Sequence, residues 1–135
     1  MDIHESVELI LAAQDTWGER FYDVFLHQYP DVQEYFSGVN LSRQGVLLTM
    51  ALIVVEQYYS GEYPATEKYL QYLGSKHDEM NIPRELYAKW TAALMSTLEQ
   101  FHGDNWSKSL AQQWSEAISR CVDVMFKGYG QRLTA

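Results

Sequence analysis

The chain holds one cysteine, three prolines and ten basic residues in 135 positions. Cys121 alone closes no internal disulfide and, without companions, holds no structural zinc. The ten Lys and Arg stand against eighteen Asp and Glu, a formal net charge of −8. Surfaces for nucleic acid or for an anionic membrane want clustered cations, so neither partner is expected. A basic, apolar leader is also lacking. The chain opens MDIHESVELI, acidic where a secretory signal is cationic. The longest apolar stretch is Val46-Leu47-Leu48 and Ala51 to Val55, bridged by Thr49-Met50. It falls well short of the roughly 20 residues of a membrane span and reads as a buried core helix. Together these absences point to the cytoplasm.

The usual signatures of catalysis are missing too. Neither G-x-x-x-x-G-K-S/T nor G-x-G-x-x-G occurs in a usable context, which excludes a phosphate-cradling loop. No H-E-x-x-H, C-x-x-C or C-x-x-C-H is present, so zinc hydrolase, zinc finger and covalently attached haem all fail. No nucleophile elbow surrounds a serine. Repeats and low-complexity tracts are absent.

What the sequence does have is helical periodicity, with 47% hydrophobic residues in a length suited to one domain, 1–135. Val7, Leu11, Gln14 and Trp17, with Ile10 beside them, predict an opening helix that stops near Gly18. Phe21, Val24, Phe25 and Gln28 continue on a second, ended by Pro30. A proline suits a first helical turn, so Pro30 also starts a short helix toward Phe36. Asn40 or Ser42 caps a hydrophobic helix over about 40–59, whose apolar positions wrap more than one face and predict neighbours on several sides. Ser60 to Pro64 breaks it. A helix over 65–78 carries Tyr69, Leu70, Leu73 and His77, and Asn81-Ile82-Pro83 turns the chain. Residues 84–101 place Tyr87, Leu94, Leu98 and Phe101 on one stripe. After Gly103-Asp104-Asn105, a last helix carries Trp106, Leu110, Trp114, Ala117, Cys121, Val124 and Met125. Seven or eight helices with short connections and no sheet make the fold class all-α.

Four histidines are the remaining candidates for chemistry. His4 and His102 read as exposed, and His27 as a cation favoured near a helix end. His77 continues the inward stripe one turn after Leu73, so the residues alone leave it between a half-buried core histidine and a metal or haem ligand. Tyr22 faces inward with Phe25, and Phe36 follows Tyr22 by fourteen positions. Gln44 and Leu48, one turn apart, share a face of the most apolar helix. Gln44 lies 33 positions before His77, and Tyr87 ten after it.

In order and spacing, the segments FYDVFLHQYPDVQEYF, LSRQGVLLTMALIVV, YLGSKHDEMNIPRELY and the last helix around QQWSEAI resemble the globins. The likeness is to bacterial single-domain haemoglobins and the globin domain of flavohaemoglobins, over about residues 10–129. It implies a three-on-three helical sandwich binding haem b (non-covalent iron protoporphyrin IX), with His77 as proximal iron ligand. It further implies Tyr22 and Gln44 as the distal hydrogen-bonding pair beside Leu48, and Phe36 as the residue wedged on the porphyrin. Phe36, Leu48, Leu73 and Leu94 would then exclude water, Tyr87 would support His77, and Arg43 and Arg84 would meet the propionates.

The resemblance implies reversible binding of O₂, CO or NO, or NO dioxygenation with electrons from an external reductase, since no flavin- or nicotinamide-binding segment follows. A regulatory helical module, with or without haem, is a third reading, because fold alone does not decide function. The chain departs from the pattern at Tyr129, which stands where the flavohaemoglobin pattern has a glutamate; a neutral group there pushes less electron density toward iron. The stretch between Phe36 and Gln44 is also about two residues short of the pattern.

Overall fold

The computed structural model describes residues 1–13 and 16–132. Helix α1 (Ile3–Ala12) starts in a capping box: the Asp2 carboxylate accepts from the Glu5 amide at 2.9 Å, and Glu5 accepts from the Asp2 amide at 3.4 Å. It buries Ile3, Ser6, Val7 and Ile10. Leu11, expected inside, is 40% exposed; one residue on from Ile10, it is rotated about 100° off the buried stripe. Gln14, expected on the same stripe, lies outside the described residues.

Helix α2 (Thr16–Gln28) runs straight through Gly18, so that glycine does not end a helix as expected. A 3₁₀ segment (Pro30–Phe36) opens on its proline, and α3 (Leu41–Gly61) is capped by Asn40, whose side chain accepts from the Arg43 amide at 3.1 Å. Next come α4 (Pro64–Glu79) and α5 (Glu85–His102), then a 3₁₀ turn (Gly103–Asn105). Last is α6 (Lys108–Lys127), capped by the Ser107 hydroxyl, which accepts from the Leu110 amide; the cap leaves Trp106, expected on this helix, extended just ahead of it.

The helices form two layers, α1, α3 and α4 against α2, α5 and α6, with the strongest packing between α4 and α6 and between α2 and α3. Gly45, Leu48, Leu52, Val55 and Tyr58 make one buried stripe on α3. Ile53, Val54 and Tyr59 pack partly against the core, but Val46, Leu47 and Met50, expected to be covered, are each more than half exposed. On α4, Leu70 is buried while Tyr69 is 46% exposed, so the inward stripe runs through Leu70 and not Tyr69. No single described helix is long and apolar enough to cross a membrane.

Two backbone contacts set the crossings. A Cβ on Gly18 would fall 2.5 Å from the Gly45 backbone, so α2 and α3 touch where neither has a side chain. Where α4 meets the end of α6, a Cβ on Gly74 would collide with the Met125 carbonyl, and one on Gly128 with the Gln71 carbonyl. An interior glycine costs a helix about 1 kcal/mol; here close packing of the axes offsets it.

His102 is buried rather than exposed. Its Nε2 lies 2.6 Å from the Ser6 hydroxyl, which also accepts from Trp114 Nε1 at 3.0 Å, and the Trp106 ring stacks on it. This network ties α1, α5 and α6 at the end of the bundle. Sequence pattern missed it because His102 ends its helix, and only the docking of α1 covers it.

Candidate functional site

The α2–α3 crossing positions the first part of the site. Tyr22 lies one turn beyond Gly18, and Gln44 is the residue before Gly45, so the glycine contact brings both to one place. The Gln44 side chain faces the Tyr22 hydroxyl. Tyr22 is buried, and that burial pushes its hydroxyl up to about 12, against the opposing pull of Gln44. The phenol therefore stays protonated and available as a donor at any physiological pH. Phe36 packs edge-on against Tyr22 at 5.4 Å and against Phe25 at 6.1 Å. Leu48, one turn beyond Gln44, is buried, and Phe36 and Gln44 are half-buried.

The α4–α6 crossing positions the second part. His77 follows Gly74 by one turn, and Tyr129 follows Gly128 directly. His77 Nδ1 lies 2.7 Å from the Tyr87 hydroxyl. Tyr87 Oη lies 3.2 Å from Tyr129 Oη, and Tyr129 donates to the Ile82 carbonyl at 2.7 Å. The Ile82 amide in turn donates to the His77 carbonyl at 3.0 Å. A closed circuit thus links the ring of His77, two tyrosines and the turn after α4 back to the His77 main chain.

Burial lowers the tendency of His77 to take a proton and raises the Tyr87 hydroxyl far above its ordinary range. Both are neutral near pH 7. Nearby, Asp78 accepts from the Gly130 amide at 2.9 Å and from Arg132, and Ser75 donates to the Gln131 carbonyl. These bonds fasten the segment after α6 to α4 and hold Tyr129 in place.

Leu73 is half-buried and Leu94 fully buried in the same core. Arg43 is exposed in the first turn of α3. The Arg84 guanidinium sits over the Phe126 and Tyr129 rings at 5.4 and 5.2 Å, outside the tyrosine pair. Tyr87 also lines an open groove of about 480 Å³ between α5 and α6, with Arg84, Thr91, Ser119 and Phe126 among its other walls.

Sequence reasoning brought Tyr22 to Gln44 and His77 to Tyr87. It missed the Ile82 carbonyl, a main-chain atom that no side-chain pattern marks. It also missed the four crossing glycines, of which Gly45 and Gly74 carry a legible signal: each is a lone glycine inside an expected helix.

Six helices in two layers, with one imidazole held from behind by a tyrosine, define the three-on-three helical sandwich. The family model described as Globin matches residues 19–125, and the chain belongs to the globin family. A solved structure from Pseudomonas aeruginosa PAO1, of the protein PA3967, shares the fold with a TM-score of 0.80. It is described as structurally highly homologous to a human hemoglobin. Identity is 22%, over 96% of this chain and 100% of that one. No curated protein matches the chain.

Proposed function

We propose that the chain binds haem b without a covalent link, with His77 Nε2 on the iron, and reversibly binds O₂ and other diatomic gases. The observation that carries this is the state of His77. One ring nitrogen is held by Tyr87 at 2.7 Å, and the opposite nitrogen makes no hydrogen bond among the described residues.

The donor set fits such a group. The described residues contain no cluster of three or more His, Cys, Asp or Glu that would grip a bare ion. A single imidazole, with Phe36, Leu48, Leu73 and Leu94 as apolar walls of the pocket, would suit a metal whose other ligands come from an apolar macrocycle. Bound there, haem supplies a ferrous iron with an open position for a small gas.

The chain's own residues set selectivity. A Gln44 amide that donates to Tyr22 Oη would leave the phenol proton for a ligand. O₂, which gains negative charge on binding, profits from such donors more than CO does; each charge-assisted bond is worth about 1.5–3 kcal/mol in a dry site. Of the two arginines, Arg84 is already stacked on aromatic rings, so the propionate contact is assigned to Arg43. The cytoplasm suits this role, as does a separate reductase that keeps the iron ferrous.

The test is a visible absorption spectrum of the haem-loaded protein, ferric and dithionite-reduced, with and without CO. The expected result is a five-coordinate ferrous form with a CO-induced Soret shift, lost or rearranged in His77→Ala. Failure to take up haem under saturating supply overturns the proposal and leaves a helical interaction module. A stable oxygenated spectrum in air supports reversible binding, whereas sustained nitrate production from NO with an added reductase would make the protein a dioxygenase.

A further inference from the structure

We propose that the outer face of α5 and α6 binds a second copy of this chain about a two-fold axis, the exposed cations of each copy meeting exposed anions of the other.

The negative charge of the chain is unevenly spread. Residues 84–127, which span both helices, hold five Lys or Arg and five Asp or Glu, so the whole −8 falls on the rest of the chain. Two copies that meet through α5 and α6 keep that excess on their outer sides.

Four of the balanced charges form a square. Arg84 and Glu99 lie fifteen positions apart on α5, and Lys108 and Asp123 fifteen apart on α6. Fifteen residues make about four helical turns, roughly 22 Å, so the members of each pair share one stripe of their helix. All four are exposed, and none makes an ion pair among the described residues. The Arg84 guanidinium over the Phe126 ring sets the start of α5 beside the end of α6, so the two helices run antiparallel. One end of the face thus holds Arg84 and Asp123, and the end next to the turn holds Glu99 and Lys108. Like signs sit on the diagonals.

A second copy turned over on this face therefore lays every cation on an anion. With the two-fold axis along the helices, Arg84 meets the partner's Asp123 and Glu99 meets the partner's Lys108. With the axis across them, Arg84 meets the partner's Glu99 and Lys108 the partner's Asp123. A second copy is the one partner that necessarily presents the same square, which is the self-complementarity a two-fold contact requires.

Between the corners lies the open groove, walled by Ala88, Ala92, Ser115, Ser119 and Val122 among others. The charges beside it are engaged elsewhere: Lys89 pairs with Asp31, and Arg120 with Glu62 and Glu116. An uncharged centre with a charged rim is the layout of a protein–protein contact. The pairing needs no haem and stands apart from the function proposed above.

Sedimentation velocity of the full-length chain, haem-free and haem-loaded, over a concentration series tests this. The expected wild-type result is a reversible monomer–dimer equilibrium. Glu99→Lys sets cation against cation for either axis and is expected to raise the dimer Kd about tenfold. Ala92→Arg, at the middle of the face, leaves a monomer. Both positions are exposed, so thermal melts are expected to match wild type. Charge exchange then reads the contact itself. Glu99→Lys with Lys108→Glu restores pairing when α5 lies on the partner copy's α6. Glu99→Lys with Arg84→Glu restores it when α5 lies on the partner copy's α5. Recovery in neither double variant overturns the proposal, as does a wild-type chain that stays monomeric throughout the series. A dimer indifferent to all these changes but lost in Met50→Glu would lie on the exposed side of α3 and overturn it equally.

Discussion

Gly18 and Gly45 meet backbone to backbone where α2 crosses α3, with no room for a methyl group: a Cβ on Gly18 would sit 2.5 Å from the Gly45 Cα. The Tyr22–Gln44 pair is built on this contact, one turn from one glycine and one residue from the other. A Gly18→Ala change must push the helices apart. It is expected to destabilise the chain by about 1–3 kcal/mol, the usual cost of overpacking. Urea denaturation of the haem-free protein measures it. Gly45→Ala, whose Cβ would lie 3.1 Å from its nearest neighbour, costs less.

Tyr22→Phe removes the buried donor and keeps the ring against Phe36. Under the proposed function, O₂ dissociation is expected to accelerate about 10- to 100-fold, the loss of roughly 1.5–3 kcal/mol. CO dissociation should move far less. Stopped-flow ligand replacement on the haem-loaded protein reads both, and equal acceleration of the two gases would show that Tyr22 acts through pocket shape alone.

Two tryptophans, Trp17 and Trp114, are almost wholly buried, but only one has its N–H satisfied. Trp114 Nε1 donates to Ser6, whereas Trp17 Nε1 has no partner among the described residues. Trp17→Phe therefore discards an orphan donor, while Trp114→Phe breaks a bond and leaves Ser6 under-satisfied. The second change is expected to cost on the order of 1–2 kcal/mol more than the first. Paired thermal or urea melts decide it.

Acid should weaken the haem-free fold through His102. A histidine in the unfolded chain titrates near 6.5, and burial depresses the folded value. Above pH 6.5 both states are neutral and stability is full. As pH falls below 6.5 the unfolded chain takes the proton first, so stability declines until the depressed folded value is passed. The urea midpoint should therefore drop on going from pH 7 to pH 5, with a shallower fall in His102→Gln. His77, shifted in the same direction, adds to the slope that remains.

The segments bounded by Pro30, Asn40, Pro64 and Pro83 were legible because each residue has a local reason to start or stop a helix. Spacing put Tyr22, His77 and Tyr87 on inward stripes, whereas grouping them with Gln44 as a site came from the resemblance to the globins. What the sequence concealed depends on a second element. Gly18 looks like a helix stop until α3 arrives to touch it. His102 looks exposed until α1 covers it with Ser6. The turn at Ile82 shows no chemistry until its carbonyl meets Tyr129. Leu11 and Tyr69 are apolar enough to be counted inside, yet the neighbouring helices cover the residues beside them, Ile10 and Leu70.

The two glycine crossings have a consequence for how such a protein can be altered. At each, main chain rests on main chain, so the spacing of the helices depends on no side chain that could be exchanged. Gln44, Tyr22, Tyr87 and Tyr129 are side chains mounted on that frame, and their chemistry can change while the frame keeps its dimensions. Frame and tuning are separable here. Under the proposed function, ligand preference can drift through single substitutions at the polar positions, while Gly18 and Gly74 stay closed to any side chain larger than hydrogen.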